Sequence, residues 1–260
     1  MITSVHNPKI QAVRRLQAQV RERREAQAFI VEGVRLAEEV LQSNWVAQQV
    51  FFTSGLDERG TAVVEDFRGR DVLVEQVGET VMEAMCETET PQGLLVVVHQ
   101  QVLPLPPSPD FVLVLDGLRN PGNLGTMLRS AAAAGVQGVL LAPGCVDAWS
   151  GKVLRAGMGA HFRLPIHSLG WPEIKGIVKN PSRSLSVYLA DSNGGIPYTR
   201  IDFRRPLALL VGGEAAGAGA EANGLADERV HIPMWGGSES LNAGVAASIL
   251  LFEVVRQRGV

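Results

Sequence analysis

The chain has 260 residues, of which 46% are hydrophobic, and a formal net charge of -3. That length holds one large domain or two modest ones, and the charge excludes nucleic-acid binding through bulk basicity. Two distant cysteines, Cys86 and Cys145, and histidines in no paired spacing exclude a disulfide framework and a zinc site; they fit a reducing compartment, most simply the cytoplasm.

The chain begins with "NPKIQAVRRLQAQVRERREA", which reads as helix with Asn7 as cap and Pro8 at its first position. The N-terminus has no apolar stretch of signal-peptide type, and no run in the chain reaches membrane-spanning length. Residues 1–24 carry Lys9, Arg14, Arg15, Arg21, Arg23 and Arg24 against Glu22 alone, a net of +5, while residues 25–100 carry -10. This basic arm is either a contact for an anionic partner or a solvated helix face. "AFIVEG", "VRLAEEVLQS", "QQVFFTS", "DVLVEQVG", "ETVMEAMCET" and "GLLVVVHQ" follow as strand, helix, strand, strand, helix, strand, a small α/β sandwich. "QQVLPLPPSPD", residues 100–110, has four prolines and reads as a linker.

Beyond it, "FVLVLDG" and "PLALLVGGE" are unbroken apolar runs ending in glycine, which suit parallel strands buried on both faces. "GNLGTMLRSAAAAG" and "VQGVLLAPG" complete a strand–helix–strand unit with the first of them. "SLSVYLAD" and "RVHIPM" are further strands, and a helix ends the chain. The fold class is α/β, a doubly wound sheet whose ligand lies beyond the carboxyl ends of its strands.

Three loops at such ends carry polar residues. In "LDGLRNPGNLGTMLRSAAAAG", Asn123 is placed to cap a helix, and Arg129 in that apolar helix must snorkel, pair with an acid or face an anion. The loop has neither a G-x-x-x-x-G-K-[ST] nor a G-x-G-x-x-G pattern. In "LLVGGEAAG", Glu214 either caps the next helix or accepts a hydrogen bond from a ligand, while Gly212 and Gly213 admit close backbone approach. In "GGSESLNAG", Ser238, Glu239, Ser240 and Asn242 crowd one helix start, as redundant caps or as a binding site. "GGSES" is not a G-x-S-x-G elbow. With no metal set, lysine nucleophile or histidine base, these loops suit holding a small polar molecule and orienting a hydroxyl.

Taken together, "RNPGNLGTMLRSAAAAG", "LLVGGEAAG" and "IPMWGGSESLNAGVAASILLFEVVRQR" resemble the three motifs of the SpoU (TrmH-type) RNA 2'-O-ribose methyltransferases of the SPOUT superfamily. The resemblance covers the whole chain. It implies residues 1–100 as an RNA substrate-binding domain similar to small ribosomal RNA-binding proteins, 101–110 as linker and 111–260 as methyltransferase domain. It also implies a deep trefoil knot, an obligate homodimer and S-adenosylmethionine as cofactor. Matching positions for cofactor contact are Gly212, Ile232 and Leu241; those for catalysis and substrate are Asn123, Arg129, Glu214, Ser240 and Asn242. Two positions depart from the family pattern: Ala215, where glycine is usual, and "SLNAGVA", where "SLNVSVA" is usual.

The activity implied is methyl transfer to a ribose 2'-hydroxyl, with ribosomal RNA favoured by the N-terminal domain. Alternatives are a transfer RNA 2'-O-methyltransferase of the same family and an inactive RNA-binding relative. Because a guanidinium stays protonated, Arg129 is expected to hold a phosphate and stabilise a developing alkoxide, oriented by Glu214, with Asn123 placing the ribose. Lys9, Arg14, Arg15, Arg21, Arg23 and Arg24 are the expected phosphate contacts. The apolar last helix is expected in the core or at a dimer interface. Neither metal nor membrane is expected.

Overall fold

The structure, a computed structural model, describes every residue except Asn193, Ala215, Ala216, Ser238, Glu239 and Val260. The polar pair Ser238 and Glu239 and the departure at Ala215 therefore lie outside the described residues. In chain order the elements are α1 (Pro8–Ala18), α2 (Val20–Ala26), β1 (Ala28–Glu32), α3 (Val34–Gln42), β2 (Ala47–Phe52), α4 (Glu58–Arg68), β3 (Leu73–Gln76), α5 (Glu79–Met85) and β4 (Leu94–His99). There follow β5 (Phe111–Asp116), α6 (Pro121–Ala133), β6 (Gly138–Leu141), α7 (Gly151–Gly157), β7 (Ile166–Ser168) and α8 (Trp171–Val178). The last are β8 (Ser186–Ala190), β9 (Ile196–Pro197), β10 (Leu207–Gly212), α9 (Ala220–Leu225), β11 (Glu228–His231) and α10 (Ala243–Arg258). They form two compact units: Met1–Gln101 with Trp149–Phe162, and Val102–Ala148 with Arg163–Val260.

In the first unit the strand order is β1-β4-β2-β3, with β4 antiparallel to both neighbours and β2 parallel to β3. Ile10, Val13 and Leu16 of α1 pack with Ile30, Phe51, Leu95 and with Met82 and Met85 of α5. The expected first helix starts as its sequence dictates: Asn7 Oδ1 accepts from the Lys9 amide at 2.9 Å, and Pro8 fills the first helical position. It then breaks at Gln19, which is extended.

The break explains a residue expected to bind phosphate. A helix end leaves carbonyls without intrahelical partners. Arg23 on α2 turns back, and its Nη1 donates to the carbonyls of Leu16 at 2.5 Å and Gln17 at 2.9 Å. Only 4% of Arg23 is exposed. It is thus a buried cap for α1, and the expectation of an RNA contact through Arg23 is corrected on that ground.

Trp149–Phe162 lies in sequence within 111–260, the stretch read as the methyltransferase domain, yet it packs in the first unit. Its Trp149 ring lies 4.9 Å from Phe29 and 5.4 Å from Trp45, and Phe162 meets Trp45 edge-on. Arg155 on α7 pairs with buried Glu32 at 3.4 Å and with Glu87 at 3.2 Å. These are contacts between residues distant in sequence, which no local periodicity encodes.

In the second unit, a seven-stranded sheet among the described residues runs β7-β6-β5-β10-β8-β11-β9, every pairing parallel. The runs "FVLVLD" and "LALLVG" lie at its centre and are buried, as strands covered on both faces must be. Val112, Val114, Val187, Leu189, Ala208 and Leu210 share one face and pack with Ile174 and Val178 of α8 and Ala222 and Leu225 of α9. Helix α10 packs on α6 and on β10. Gly244 lets the helices approach at Thr126, and Ser130 Oγ meets Ser248 Oγ at 2.7 Å. At the far end of α10, Arg258 bonds Asp110 and the carbonyls of Phe203 and Arg205.

Two arginines on the successive helices α1 and α2 should behave differently. Arg23→Ala leaves buried carbonyls unpaired and is expected to lower stability by about 2 kcal/mol, whereas exposed Arg14→Ala should stay within about 0.5 kcal/mol. Urea unfolding midpoints at constant slope measure both.

Candidate cofactor and catalytic site

Three loops at the carboxyl edge of the parallel sheet are tied by side-chain amides. Helix α6 is capped by Asn120, whose Oδ1 accepts from the amides of Gly122 at 2.8 Å and Asn123 at 3.3 Å. Asn123 is therefore not the cap expected from its position. It lies buried in the first turn, its Nδ2 donating to Glu214 Oε1 at 2.8 Å and its Oδ1 accepting from Asn242 Nδ2 at 2.9 Å. Asn242 is the cap of α10, its Oδ1 accepting from the amides of Gly244 at 2.9 Å and Val245 at 3.3 Å. Each amide uses its oxygen and its nitrogen, so neither can flip without breaking a bond. The crowding at "GGSESLNAG" resolves accordingly: one asparagine both caps the helix and joins the other two loops.

At the head of this chain the Glu214 carboxyl is held below the ordinary carboxylate range. Partial burial pushes it up, but hydrogen bonds from Asn123 and from the amides of Glu214, Arg119 and Asn120 together outweigh that. Glu214 is thus ionised and accepts only.

The glycine loop after β10 is closed on itself. Gly213 and Gly217 exchange backbone hydrogen bonds at 3.1 and 3.0 Å, and the Gly219 amide donates to Asp116 Oδ2 at 2.7 Å. A Cβ on Gly212 would lie 2.4 Å from the Ala218 amide nitrogen, and one on Gly213 2.6 Å from the Gly117 oxygen. Backbone meets backbone here, so only glycine fits.

A pocket of about 770 Å³ opens at the carboxyl ends of β8, β10 and β11. Gly212, Glu214, Ile232, Ser240, Leu241 and Asn242 all line it. Asn123 touches two of these residues without lining the pocket. Arg129 stands apart: it is exposed on α6, has no hydrogen bond or ion pair among the described residues, and does not bond Glu214. Six residues along a helix turn a side chain about 120° from Asn123, which explains the separation. Motif reading missed Asp191, Asn223, Arg229 and His231, which also line the pocket. The signal for the first was an acid directly after the buried strand "SVYLA".

Residues 110–252 match the model of the SpoU rRNA Methylase family, and residues 7–96 match an MRM3-like substrate binding domain. The chain belongs to the SpoU rRNA methylase family. The Bacillus subtilis 23S rRNA (guanosine(2553)-2'-O)-methyltransferase RlmP is 34% identical over 97% of this chain and 98% of its own length. An AdoMet-bound rRNA methyltransferase from Sinorhizobium meliloti superposes with a TM-score of 0.85 at 31% identity, over 98% of this chain and 97% of that one. The SpoU methyltransferase AviRb from Streptomyces viridochromogenes, in complex with AdoMet, gives 0.86 at 28% identity, over 97% and 98%.

In this SpoU methylase the basic arm is unevenly committed. Lys9 pairs with Glu75 at 2.7 Å, Arg21 with Glu25 at 2.6 Å and Arg15 with Glu22 at 3.3 Å, all at exposed sites where such pairs are weak. Arg14 and Arg24 are exposed. No group of three or more metal-ligating side chains occurs among the described residues, and no helix there is long and apolar enough to cross a membrane.

Asn242 separates capping from loop tethering. Asn242→Ala is expected to cost about 1 kcal/mol or more, while Asn242→Ser, a good cap that cannot reach Asn123 with an amide, should recover the capping part alone; thermal unfolding of both against wild type measures this. Glu214 gives a pH signature. Its folded value is lowered, so its stabilisation is present above the ordinary value of 4.5 and is lost as pH falls through the folded value. Glu214→Gln should flatten that part of the stability–pH curve.

Proposed function

We propose that this SpoU methylase transfers the methyl group of S-adenosylmethionine to a ribose 2'-hydroxyl in ribosomal RNA. The observation that carries the reading is the joining of three polar loops by Asn242, Asn123 and Glu214 beside one pocket at the sheet's carboxyl edge. The ribosomal substrate and the 2'-oxygen follow the name of the Bacillus subtilis relative and the matched substrate-binding domain. The pocket fits the cofactor: its volume is in the range of nucleoside-sized ligands, and a buried His231 Nδ1 on its wall has no partner among the described residues. Gly212, Ile232 and Leu241 would hold it, largely by backbone.

When bound, S-adenosylmethionine supplies an electrophilic sulfonium methyl, so the chain need not activate the methyl donor. What remains is to place the 2'-hydroxyl in line and manage its proton. Ser240 and the ionised Glu214 line the pocket and orient that hydroxyl. Asn123 and Asn242 act as positioning residues, because their amides are spent on fixing Glu214 and the loop. Arg129 lies outside the pocket of its own chain, so its role is with the RNA: a fixed charge that holds a phosphate and stabilises the developing alkoxide. Arg14, Arg15, Arg21 and Arg24 hold further phosphates.

The working form is a cytoplasmic homodimer. Val245 and Phe252, 46% and 49% exposed, lie seven residues apart on one face of α10 and offer an apolar stripe for a second copy. The domain fold carries the trefoil knot of its family. The path in its support runs from β10 across β8 to β11, then back to α10, which packs against α6 and β10.

Labelled cofactor should methylate ribosomal RNA, and mapping 2'-O-methyl sites in cells with and without the protein should show a single missing position; unchanged maps would reject the activity. Arg129→Lys is expected to cut turnover at least about tenfold while leaving cofactor affinity unchanged, since lysine lacks the planar fork. Near-wild-type turnover would remove that role. RNA affinity should fall steeply with salt, with a shallower slope in Arg14→Glu/Arg24→Glu.

A further inference from the structure

The sheet register places three residues in one row at the pocket floor. Val211 pairs with Ala190, and Ala190 pairs with Val230, so Gly212, Asp191 and His231 are the next residues on three adjacent parallel strand paths. The Asp191 amide extends the ladder by donating to the Val230 carbonyl at 2.9 Å. All three residues line the pocket. Gly212 meets the pocket with its backbone, because Gly217 and Ala218 pack where a side chain would lie. Beside it stands an Asp191 carboxylate that is 18% exposed, and beyond that a histidine whose buried Nδ1 has no partner among the described residues.

The carboxylate is held from behind. Arg229 Nη1 donates to Asp191 Oδ2 at 2.8 Å, and its Nη2 to Asn223 Oδ1 at 2.8 Å. Asn223 in turn donates to the carbonyls of Ala218 and Gly219 at 2.8 and 2.9 Å. Asp191 is thereby anchored to the same glycine loop that closes over Gly212.

Carboxylate oxygens accept hydrogen bonds, and each can take more than one donor. The cofactor offers three kinds: a vicinal pair of ribose hydroxyls, an adenine amine and an α-ammonium. The Arg229 charge against Asp191 disfavours a second cation there, which argues against the ammonium. The adenine amine sits on a flat apolar ring, for which Ile232 and Leu241 are the matching wall. The diol is neutral and presents two adjacent donors to two carboxylate oxygens.

We propose that Asp191 accepts hydrogen bonds from the ribose hydroxyls of the bound cofactor, with Arg229 as its positioning residue. The inference rests on the pocket being the S-adenosylmethionine site. The test uses the full chain, calorimetry and two probes: 5'-methylthioadenosine, which keeps the ribose but lacks the amino-acid tail, and its 2',3'-dideoxy counterpart. Wild type should prefer the hydroxylated nucleoside by about 10- to 100-fold, as expected for hydrogen bonds to a charged group. Asp191→Ala, and the shape-conserving Asp191→Asn, should bind the dideoxy probe as wild type does and lose most of that preference. Arg229→Met should lose part of it. Equal binding of the two probes by wild type, or a full preference kept in both Asp191 variants, would overturn the proposal. So would a loss seen with S-adenosylmethionine but not with 5'-methylthioadenosine, which would assign Asp191 to the amino-acid tail. Absence of binding of every probe by wild type would overturn the cofactor reading itself along with the proposal.

Discussion

The site hangs on one chain of hydrogen bonds, from the amides that open α10, through Asn242 and Asn123, to the Glu214 carboxylate. Its three members sit 91 and 119 residues apart in sequence at the two side-chain contacts, so it joins loops that backbone pairing leaves independent. Asn123 is the buried member, and leaving its amide unpaired costs on the order of 1–3 kcal/mol, whereas Asn242 and Glu214 reach solvent and can turn to water. The ionised end matters most. A carboxylate accepts without needing a defined proton position, and this fixes the direction of both amides back to the helix start.

That arrangement reconciles two roles that the sequence set against each other. Asn242 is a helix cap and a site residue for the same reason: its oxygen faces the orphan amides of α10, and its nitrogen is left to point at the next loop. Asn123 is freed for the same work because Asn120 takes over the cap of α6. Capping and site-building are therefore one device at two helix starts, and the glycines at 212 and 213 bring the third loop close enough to be included.

The parallel strands were legible because burial on both faces writes itself as the unbroken runs "FVLVLD" and "LALLVG". The loops were legible because three of them, each at a strand end, carry more glycine, asparagine and acid than one turn or cap requires. Less was legible where the determinant is a contact between distant residues. Nothing near Arg23 in sequence distinguishes it from Arg21 or Arg24; only the break at Gln19 turns it onto the carbonyls of α1. Nothing in Trp149 or Phe162 says that they pack with Phe29 and Trp45. Elements as short as α9 and β9 hold too few residues for a period, whereas α4 and α8 carry one that motif reading passes over: Val63, Val64 and Phe67, and Ile174 and Val178, are buried at helical spacing. Asp191 was visible as an acid after a strand, but its place beside Gly212 follows from strand order, which skips from β10 to β8.

The separation of Arg129 from the pocket then carries a mechanistic consequence. On the proposed reading, a group that serves the RNA while standing apart from the pocket of its own chain influences turnover without influencing cofactor affinity. Glu214, by contrast, lines the pocket and anchors the loop network, so the same reading ties it to binding, stability and chemistry together. Geometry thereby sets the two charged residues of the motifs apart: the carboxylate is tied to Asn123, and the Arg129 cation stands on the helix surface. An exposed guanidinium keeps its charge and its planar fork at any accessible pH, and a ribose flanked by phosphates presents the partner that such a fork requires.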